Sequence, residues 1–161
     1  MDDLYNMPGH LIRRAQQIGV AIFMEECSEY DITPVQYACL RALKDHPNVD
    51  ATRLSAIVAF DRSTIGSVLE RLEIKKLIQR CPSPDDKRIK LLRLDASGAR
   101  LLAALEPALK RVQKRILEPL DARSRRTFID LLTRLVHLNN EASRAPLRLG
   151  GRGHHQDPGV E

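Results

Sequence analysis

The stretch DRSTIGSVLERLEIKKLIQRCPSPDDKRIKLLRL, residues 61–94, contains three patterns in succession. Its first part has apolar residues at i, i+3, i+4 and i+7, which predicts an amphipathic helix from Arg62 to about Lys75. The runs LIQRC and IKLLRL then predict two short strands. Because PSPDDKR between them is rich in Pro, Asp and basic residues, it predicts a charged turn. The stretch therefore predicts a helix followed by a β-hairpin with a basic tip.

The helix has an apolar face and a polar face. The apolar positions are Ile65, Val68, Leu69 and Leu72. The polar and basic positions are Arg62, Ser63, Thr64, Ser67, Arg71 and Lys75. Hydroxyl and guanidinium groups at this spacing can bond base edges and phosphates in the major groove of DNA. A solvated helix face can look the same, but the basic hairpin tip that follows favours DNA binding.

The hairpin tip carries Lys87 and Arg88. A projecting basic tip can follow the phosphate backbone or enter the minor groove, where the negative potential is enhanced. We therefore expect Lys87 and Arg88 to extend the DNA contact made by the helix.

Capping residues predict the neighbouring helices. Thr33, followed by Pro34, predicts a helix start, and Asp50 and Asp61 predict the starts of the next two helices. Asp95 or Ser97 begins a helix that extends to about Leu117, and Pro107 predicts a kink or break within it. A last helix is predicted from about Arg123 to Ser143, with Asp121 as a possible cap.

The first helix, predicted from Pro8 to Glu29, is apolar on more than one face. Together with the long apolar helices near the C-terminus, it predicts a dimer core shared by two chains. We expect residues 1–30 and 96–145 to form this dimerisation region, and residues 31–95 to form a DNA-binding lobe. From Pro146 the sequence is rich in Gly and Pro, which predicts a disordered tail over residues 146–161.

Composition narrows the class of protein. A net charge of +5 suits an anionic partner, and low aromatic content (4%) with abundant Leu, Ala and Arg favours helices. The cysteines are Cys27, Cys39 and Cys81, whose spacing is not that of a zinc site. Neither a signal peptide nor a membrane span is evident, so we expect a cytoplasmic protein with reduced thiols. Scattered histidines and the lack of a catalytic motif disfavour an enzyme, and no cofactor or metal is predicted.

Several motifs in order resemble the MarR family of winged-helix transcriptional regulators. RLEIKKLIQR at 71–80 is similar to the family's RLEKKGLIxR, and SPDDKRIKLLRLDASG at 83–98 is similar to its wing, DPxDRRxxxLxLTxxG. TPVQYACLRAL at 33–43 resembles TxxQxxxLxxL, and the resemblance covers about Ile12 to Glu141. It implies a mainly α protein with a small two- or three-stranded β wing, assembled as a winged helix-turn-helix dimer.

Three positions depart from the family pattern. Lys76 replaces a helix-ending Gly, which costs about 1 kcal/mol if the backbone there is left-handed. Lys87 replaces an Arg, so the minor-groove contact rests mostly on Arg88. Asp95 replaces a Thr but can cap a helix equally well. The resemblance further implies that Asp86 holds Arg88 by an ion pair and does not itself touch DNA.

The resemblance also implies a homodimeric repressor that leaves double-stranded DNA when a small aromatic acid binds. The pattern is most like the subgroup that governs aromatic-compound catabolism. A ligand pocket between the dimer helices and the lobe would be lined by Tyr5, His10, Arg14, Tyr37 and Arg41. An arginine would pair with the carboxylate, and a tyrosine or histidine would hydrogen-bond to it.

Two other functions remain open from the sequence. A redox-sensing regulator would use an exposed, electropositive cysteine, for which Cys27 and Cys81 are better placed than Cys39 on its apolar stripe. A pure protein-interaction module would use the long helices and the tail. Binding to duplex DNA with a steep salt dependence separates a regulator from such a module.

Overall fold

The fold of residues 4–149 is taken from a computed structural model. A central lobe contains three helices and a hairpin, in the order α2 Pro34–Asp45, α3 Ala51–Ile57, α4 Arg62–Ile74, β1 Ile78–Pro82 and β2 Lys90–Leu94. Three longer helices flank it, namely α1 Pro8–Glu26, α5 Ala96–Leu117 and α6 Ala122–Leu138. Single 3-10 turns lie at Leu4–Asn6, Ser28–Tyr30 and Asn140–Ala142. Within the described residues, no helix is long and apolar enough to cross a membrane.

Most of the predicted caps are confirmed. Thr33 forms a capping box with Gln36, and the side chains of Asp50, Asp95 and Asp121 each accept first-turn N–H groups. The predicted side-chain cap at Asp61 is wrong, although Asp61 does occupy the N-cap position of α4. Its backbone carbonyl, instead of its carboxylate, accepts the N–H groups of Thr64 and Ile65 at 3.0 Å.

The apolar face of α4 packs into the core of the lobe as predicted. Ile65, Leu69 and Leu72 are buried, and Val68 is half-buried. They belong to one cluster with the buried residues of α2, α3 and the hairpin, namely Leu40, Leu43, Leu54, Ile78 and Leu92. The strands pair antiparallel with Ile78 opposite Leu94, and a one-residue bridge from Val49 to Leu92 adds the trace of a third strand.

A left-handed residue ends α4 and directs the chain into the wing. Lys76 has φ 57°, so the predicted departure from glycine falls at a left-handed position. The Leu77 N–H donates to the Leu72 carbonyl at 2.9 Å and the Lys76 N–H to the Glu73 carbonyl at 2.8 Å, which is a Schellman motif. Leu72 and Leu77 are both buried in the same apolar cluster, which supports the motif that leads into β1.

The flanking helices are joined by polar contacts. At the C-terminal end of α1, Glu26 accepts from Arg111 at 2.6 Å and from Arg115 at 2.8 Å, both on α5. These bonds, first that from Arg111, lower the pKa of Glu26. The Tyr30 hydroxyl donates to the Ala104 carbonyl at 3.0 Å. We infer that α1 and α5 form one support beneath the lobe.

Three predicted boundaries need correction. Of the kink or break predicted at Pro107, the break is wrong, because α5 continues through this residue. The missing hydrogen bond falls on an exposed face, where water can satisfy the carbonyl. Helix α1 was predicted to reach Glu29 but ends at Glu26. The next residue, Cys27, is no longer helical, and a 3-10 turn follows it. Helix α6 ends at Leu138 instead of Ser143, again before a 3-10 turn.

The predicted disordered tail also needs correction at its start. The Arg148 N–H donates to the Ala56 carbonyl of α3 at 2.8 Å, so the chain has a defined contact with the lobe as far as Arg148. Composition did not indicate this, because the segment is held by two side chains from elsewhere, Arg53 and Asn140. The remainder of the predicted tail, 150–161, lies outside the described residues.

Candidate nucleic-acid interface

The polar face of α4 is exposed. Arg62, Ser63, Thr64, Ser67 and Arg71 all lie on the surface of the lobe. The Ser67 hydroxyl donates to the Thr64 carbonyl at 2.9 Å, within its own helix. At the first position of α4, the Arg62 guanidinium donates to the Thr52 hydroxyl on α3 at 3.0 Å. Sequence reasoning missed Thr52, because a pair ten residues apart across a turn leaves no periodic signal.

A tight turn sets the angle between α3 and α4. Ala59 adopts φ 50°, and the Phe60 N–H donates to the Ser55 carbonyl at 3.0 Å. The turn therefore folds back immediately after α3 and presents the N-terminus of α4 outward. Two helices joined in this way form a helix-turn-helix, whose second helix carries the polar face.

The wing tip holds one arginine in a defined position. The Arg88 guanidinium donates from Nε to Asp86 Oδ1 at 3.0 Å and from Nη2 to Asp86 Oδ2 at 2.9 Å, so the predicted ion pair is present. Asp86 Oδ1 also accepts the Arg88 backbone N–H at 3.0 Å. The guanidinium beside it lowers the pKa of the Asp86 carboxyl. Since Arg88 is 91% exposed, its side chain still projects from the tip.

The remaining basic residues of the predicted set differ in their surroundings. Lys87 is exposed at the wing tip. Lys75, in contrast, pairs with Asp31 Oδ2 at 2.8 Å and also donates to the Asp31 backbone carbonyl. Asp31 has φ 45° and lies in the turn before α2, so Lys75 connects α4 to that turn. This arrangement fits a structural role for Lys75 better than a DNA contact.

The predicted ligand residues form two separate groups within one chain. Tyr5 and His10 lie near the start of α1, with ring centroids 5.8 Å apart, and Arg14 is exposed one turn further on. Tyr37 of α2 packs against Phe23, with centroids 6.2 Å apart. Phe23 is about 20 Å along α1 from His10 at 1.5 Å per residue. A single chain does not bring the two groups together.

Two of the predicted ligand residues, His10 and Arg41, differ in whether their polar atoms have partners. Among the described residues, His10 Nε2 is buried without a hydrogen-bond partner, which is costly unless something else satisfies it. Arg41 pairs with Asp45 one turn along α2 at 3.1 Å. His10 is therefore better suited to a ligand contact than Arg41.

Cys27 and Cys39 lie in surroundings that disfavour redox sensing. Cys27 is buried, and burial raises the pKa of its thiol. Burial raises the pKa of Cys39 to about 12. Only the thiolate reacts readily, so both residues are suited to packing. Cys81 is half-buried on β1, and no disulfide forms among the described cysteines.

A helix-turn-helix followed at once by a two-stranded wing defines the winged-helix class of DNA-binding folds. A sequence model of the MarR family matches residues 30–89. The HTH-type transcriptional repressor NicR of Pseudomonas putida is 32% identical over 140 residues, which cover 87% of this chain and 89% of NicR. The chain belongs to the MarR family and is a transcriptional regulator of the MarR type.

Solved structures agree in fold. BpsR of Bordetella bronchiseptica, whose DNA binding is regulated by 6-hydroxynicotinic acid, is 28% identical with a TM-score of 0.78. The match covers 84% of this chain and 96% of BpsR. The repressor CouR, solved on a 23-mer DNA duplex, is 26% identical, with the same coverage and a TM-score of 0.78. These relatives are regulators and not enzymes, and aromatic-acid-responsive proteins are among them.

Proposed function

We propose that this protein is a cytoplasmic, dimeric repressor that binds a palindromic operator and leaves it when a small aromatic carboxylic acid binds. The observation that carries the proposal is the exposed polar face of α4 beside a wing whose Arg88 is held by Asp86. Ser63, Thr64, Ser67 and Arg71 would face bases and phosphates in the major groove, and Arg88 would reach the minor groove.

The dimer is supported by apolar surface that one chain leaves uncovered. Of the described residues in α6, none is buried. Its exposed apolar residues are Phe128, Ile129, Leu131, Leu132, Leu135, Val136 and Leu138, and those of α1 include Leu11, Ile12, Ile18, Val20 and Met24. Surface of this extent supports a protein–protein interface. Two lobes held by it would meet successive major grooves about 34 Å apart.

The ligand class is supported by the chemistry of α1 and by the relatives. Arg14 would pair with a carboxylate, Tyr5 would contact a ring, and the unsatisfied His10 Nε2 would gain a hydrogen bond. BpsR responds to an acid of this kind. Since Tyr37 is distant from His10 within one chain, we infer that the pocket is completed only in the dimer.

The test begins with an operator selected by the wild-type protein from random duplexes. Protection should be near-palindromic, with half-sites about 10 base pairs apart centre to centre. The complex should then be titrated with 6-hydroxynicotinate, benzoate and hydroxycinnamates, and at least one of these acids should release the DNA. Arg14→Ala should retain operator binding and lose release, because the carboxylate loses its partner.

The neighbouring Arg13 provides a matched control. Its guanidinium donates to Gln17 at 3.0 Å, and Arg13→Ala makes the same charge change. It should leave acid-induced release intact. Operator binding that no aromatic acid alters would overturn the sensing proposal and leave DNA binding standing. Operator binding that peroxide abolishes in the wild type but not in Cys27→Ser would favour redox sensing instead.

A further inference from the structure

The chain beyond α6 folds back on itself instead of leaving the molecule. The Leu147 N–H donates to Asn140 Oδ1 at 2.8 Å, and Asn140 Nδ2 donates to the Leu147 carbonyl at 3.3 Å. One amide side chain thus pairs with both backbone groups of a residue seven positions later. We name residues 143–149 the C-terminal arm. Its course is set by specific hydrogen bonds.

Arg148 attaches the C-terminal arm to α3. Its backbone N–H donates to the Ala56 carbonyl at 2.8 Å, and its carbonyl accepts from Arg53 Nη1 at 3.0 Å. Its guanidinium donates from both terminal nitrogens to the Glu141 carboxylate, with Nη2 to Oε2 at 2.7 Å. This pairing lowers the pKa of Glu141 to about 2. The ion pair is therefore intact at neutral pH and is lost only as the pH falls towards 2.

The attached arm lies beside the N-terminus of α4. A cavity of about 250 Å³ separates them, and its wall includes Asp61 and Arg62 from the helix-turn-helix and Arg144, Pro146 and Arg148 from the arm. Three arginines and one aspartate are therefore among the residues that line this cavity. Arg148 is neutralised by Glu141, whereas Arg144 forms no ion pair within the described part of the chain.

We propose that the C-terminal arm is a second DNA-backbone contact, in which Arg144 binds a phosphate flanking the one nearest Arg62. The inference rests on the proposed DNA-binding function. Arg148 is a positioning residue, because its backbone fixes the arm on α3 and its guanidinium ties the arm to Glu141. A phosphate contact is independent of sequence, so it would add affinity on any duplex.

The test measures binding of the full chain to a random-sequence 24-base-pair duplex over a series of salt concentrations. Arg144→Ala should weaken binding about threefold to tenfold, and the slope of log K against log salt should become shallower by about 0.9 for each protomer engaged. Arg144→Lys should keep the slope, because it keeps the charge. Arg148→Ala should reproduce the loss, and the double variant should add little to either single variant.

Lys110→Ala is the matched control for charge. Lys110 pairs with Glu106 on the exposed face of α5, about 20 Å along that helix from its N-terminus. The Lys110→Ala substitution removes one positive charge and should leave the slope of log K against log salt unchanged. An Arg144→Ala slope equal to that of Lys110→Ala, with normal wild-type binding, would overturn the arm contact alone. Wild-type binding without salt dependence would overturn both the arm contact and the proposed function.

Discussion

Gly98, in the first turn of α5, lies against the backbone that leads into the wing. A Cβ at this position would be 2.3 Å from the Leu77 carbonyl oxygen and 2.8 Å from Leu94 Cδ1. The oxygen accepts the Asp95 N–H at 3.0 Å, so it cannot withdraw without losing that bond. The requirement for glycine therefore comes from close packing between α5 and the start of β1.

We expect Gly98→Ala to lower the free energy of unfolding by about 1–3 kcal/mol, because the new methyl group overpacks a rigid contact. Gly66→Ala is its control. Gly66 lies in α4 with open space around its Cβ, so alanine there should raise stability by about 0.5–1 kcal/mol. Urea unfolding of both variants measures the difference. Equal effects of the same sign would contradict the packing argument.

Lys76 shows how far sequence reasoning extends at single positions. The comparison of KKLIQR with the family pattern singled out Lys76, which stands where a glycine usually ends the helix, and its backbone is left-handed. The pairing of Lys75 with Asp31, 44 positions earlier, had no such signal. Local pattern predicts backbone conformation, whereas long-range polar pairing depends on a fold that the pattern does not specify.

In the wing, the charge of a residue does not by itself predict how its removal affects DNA binding. Removing a carboxylate should strengthen binding to polyanionic DNA if the carboxylate acts only by its charge. Asp86, however, holds the guanidinium of Arg88 through both its Nε and its Nη2. Since an unheld arginine loses side-chain entropy when it binds, losing Asp86 should weaken binding.

We therefore expect Asp86→Ala to weaken operator binding about threefold to tenfold, equivalent to about 0.7–1.4 kcal/mol. The double variant with Arg88→Ala should bind like Arg88→Ala alone, because the two residues act as a unit. Asp85→Ala, an exposed carboxylate in the same turn, should leave binding unchanged or slightly stronger. Fluorescence anisotropy at fixed salt compares these four variants with the wild-type protein. Stronger binding of Asp86→Ala would contradict the positioning role.

At the element level, most of the lobe followed from the sequence. Apolar spacing and caps are local signals, so α2, α3, α4 and the hairpin were predicted closely. Asp61 differed because backbone and side-chain acceptors compete for the same N–H groups. The ligand residues were predicted from the family and not from spacing, and one chain leaves Tyr37 apart from His10.

At the scale of the whole molecule, a single chain leaves a large apolar surface exposed to solvent. Leu135 is 46% exposed and Val136 57% exposed, on a helix without a buried residue in the described chain. A second copy offers the same surface, which is the condition for a twofold interface. The proposed dimeric repressor depends on that interface, because the single lobe of a monomer would bind only one half-site of the operator.

We expect Leu135→Glu to convert the protein to monomers, because the dimer would have to bury an unpaired carboxylate in an apolar interface. Operator affinity should fall by more than about tenfold, since the two half-sites would no longer be bound together. Ile74→Glu is the matched control: Ile74 is 73% exposed at the end of α4, outside the proposed interface, so that variant should stay dimeric. Sedimentation equilibrium separates the outcomes. Dimeric Leu135→Glu would show that α6 lies outside the interface, and two monomeric variants would mean that charge alone, not position, disrupts assembly.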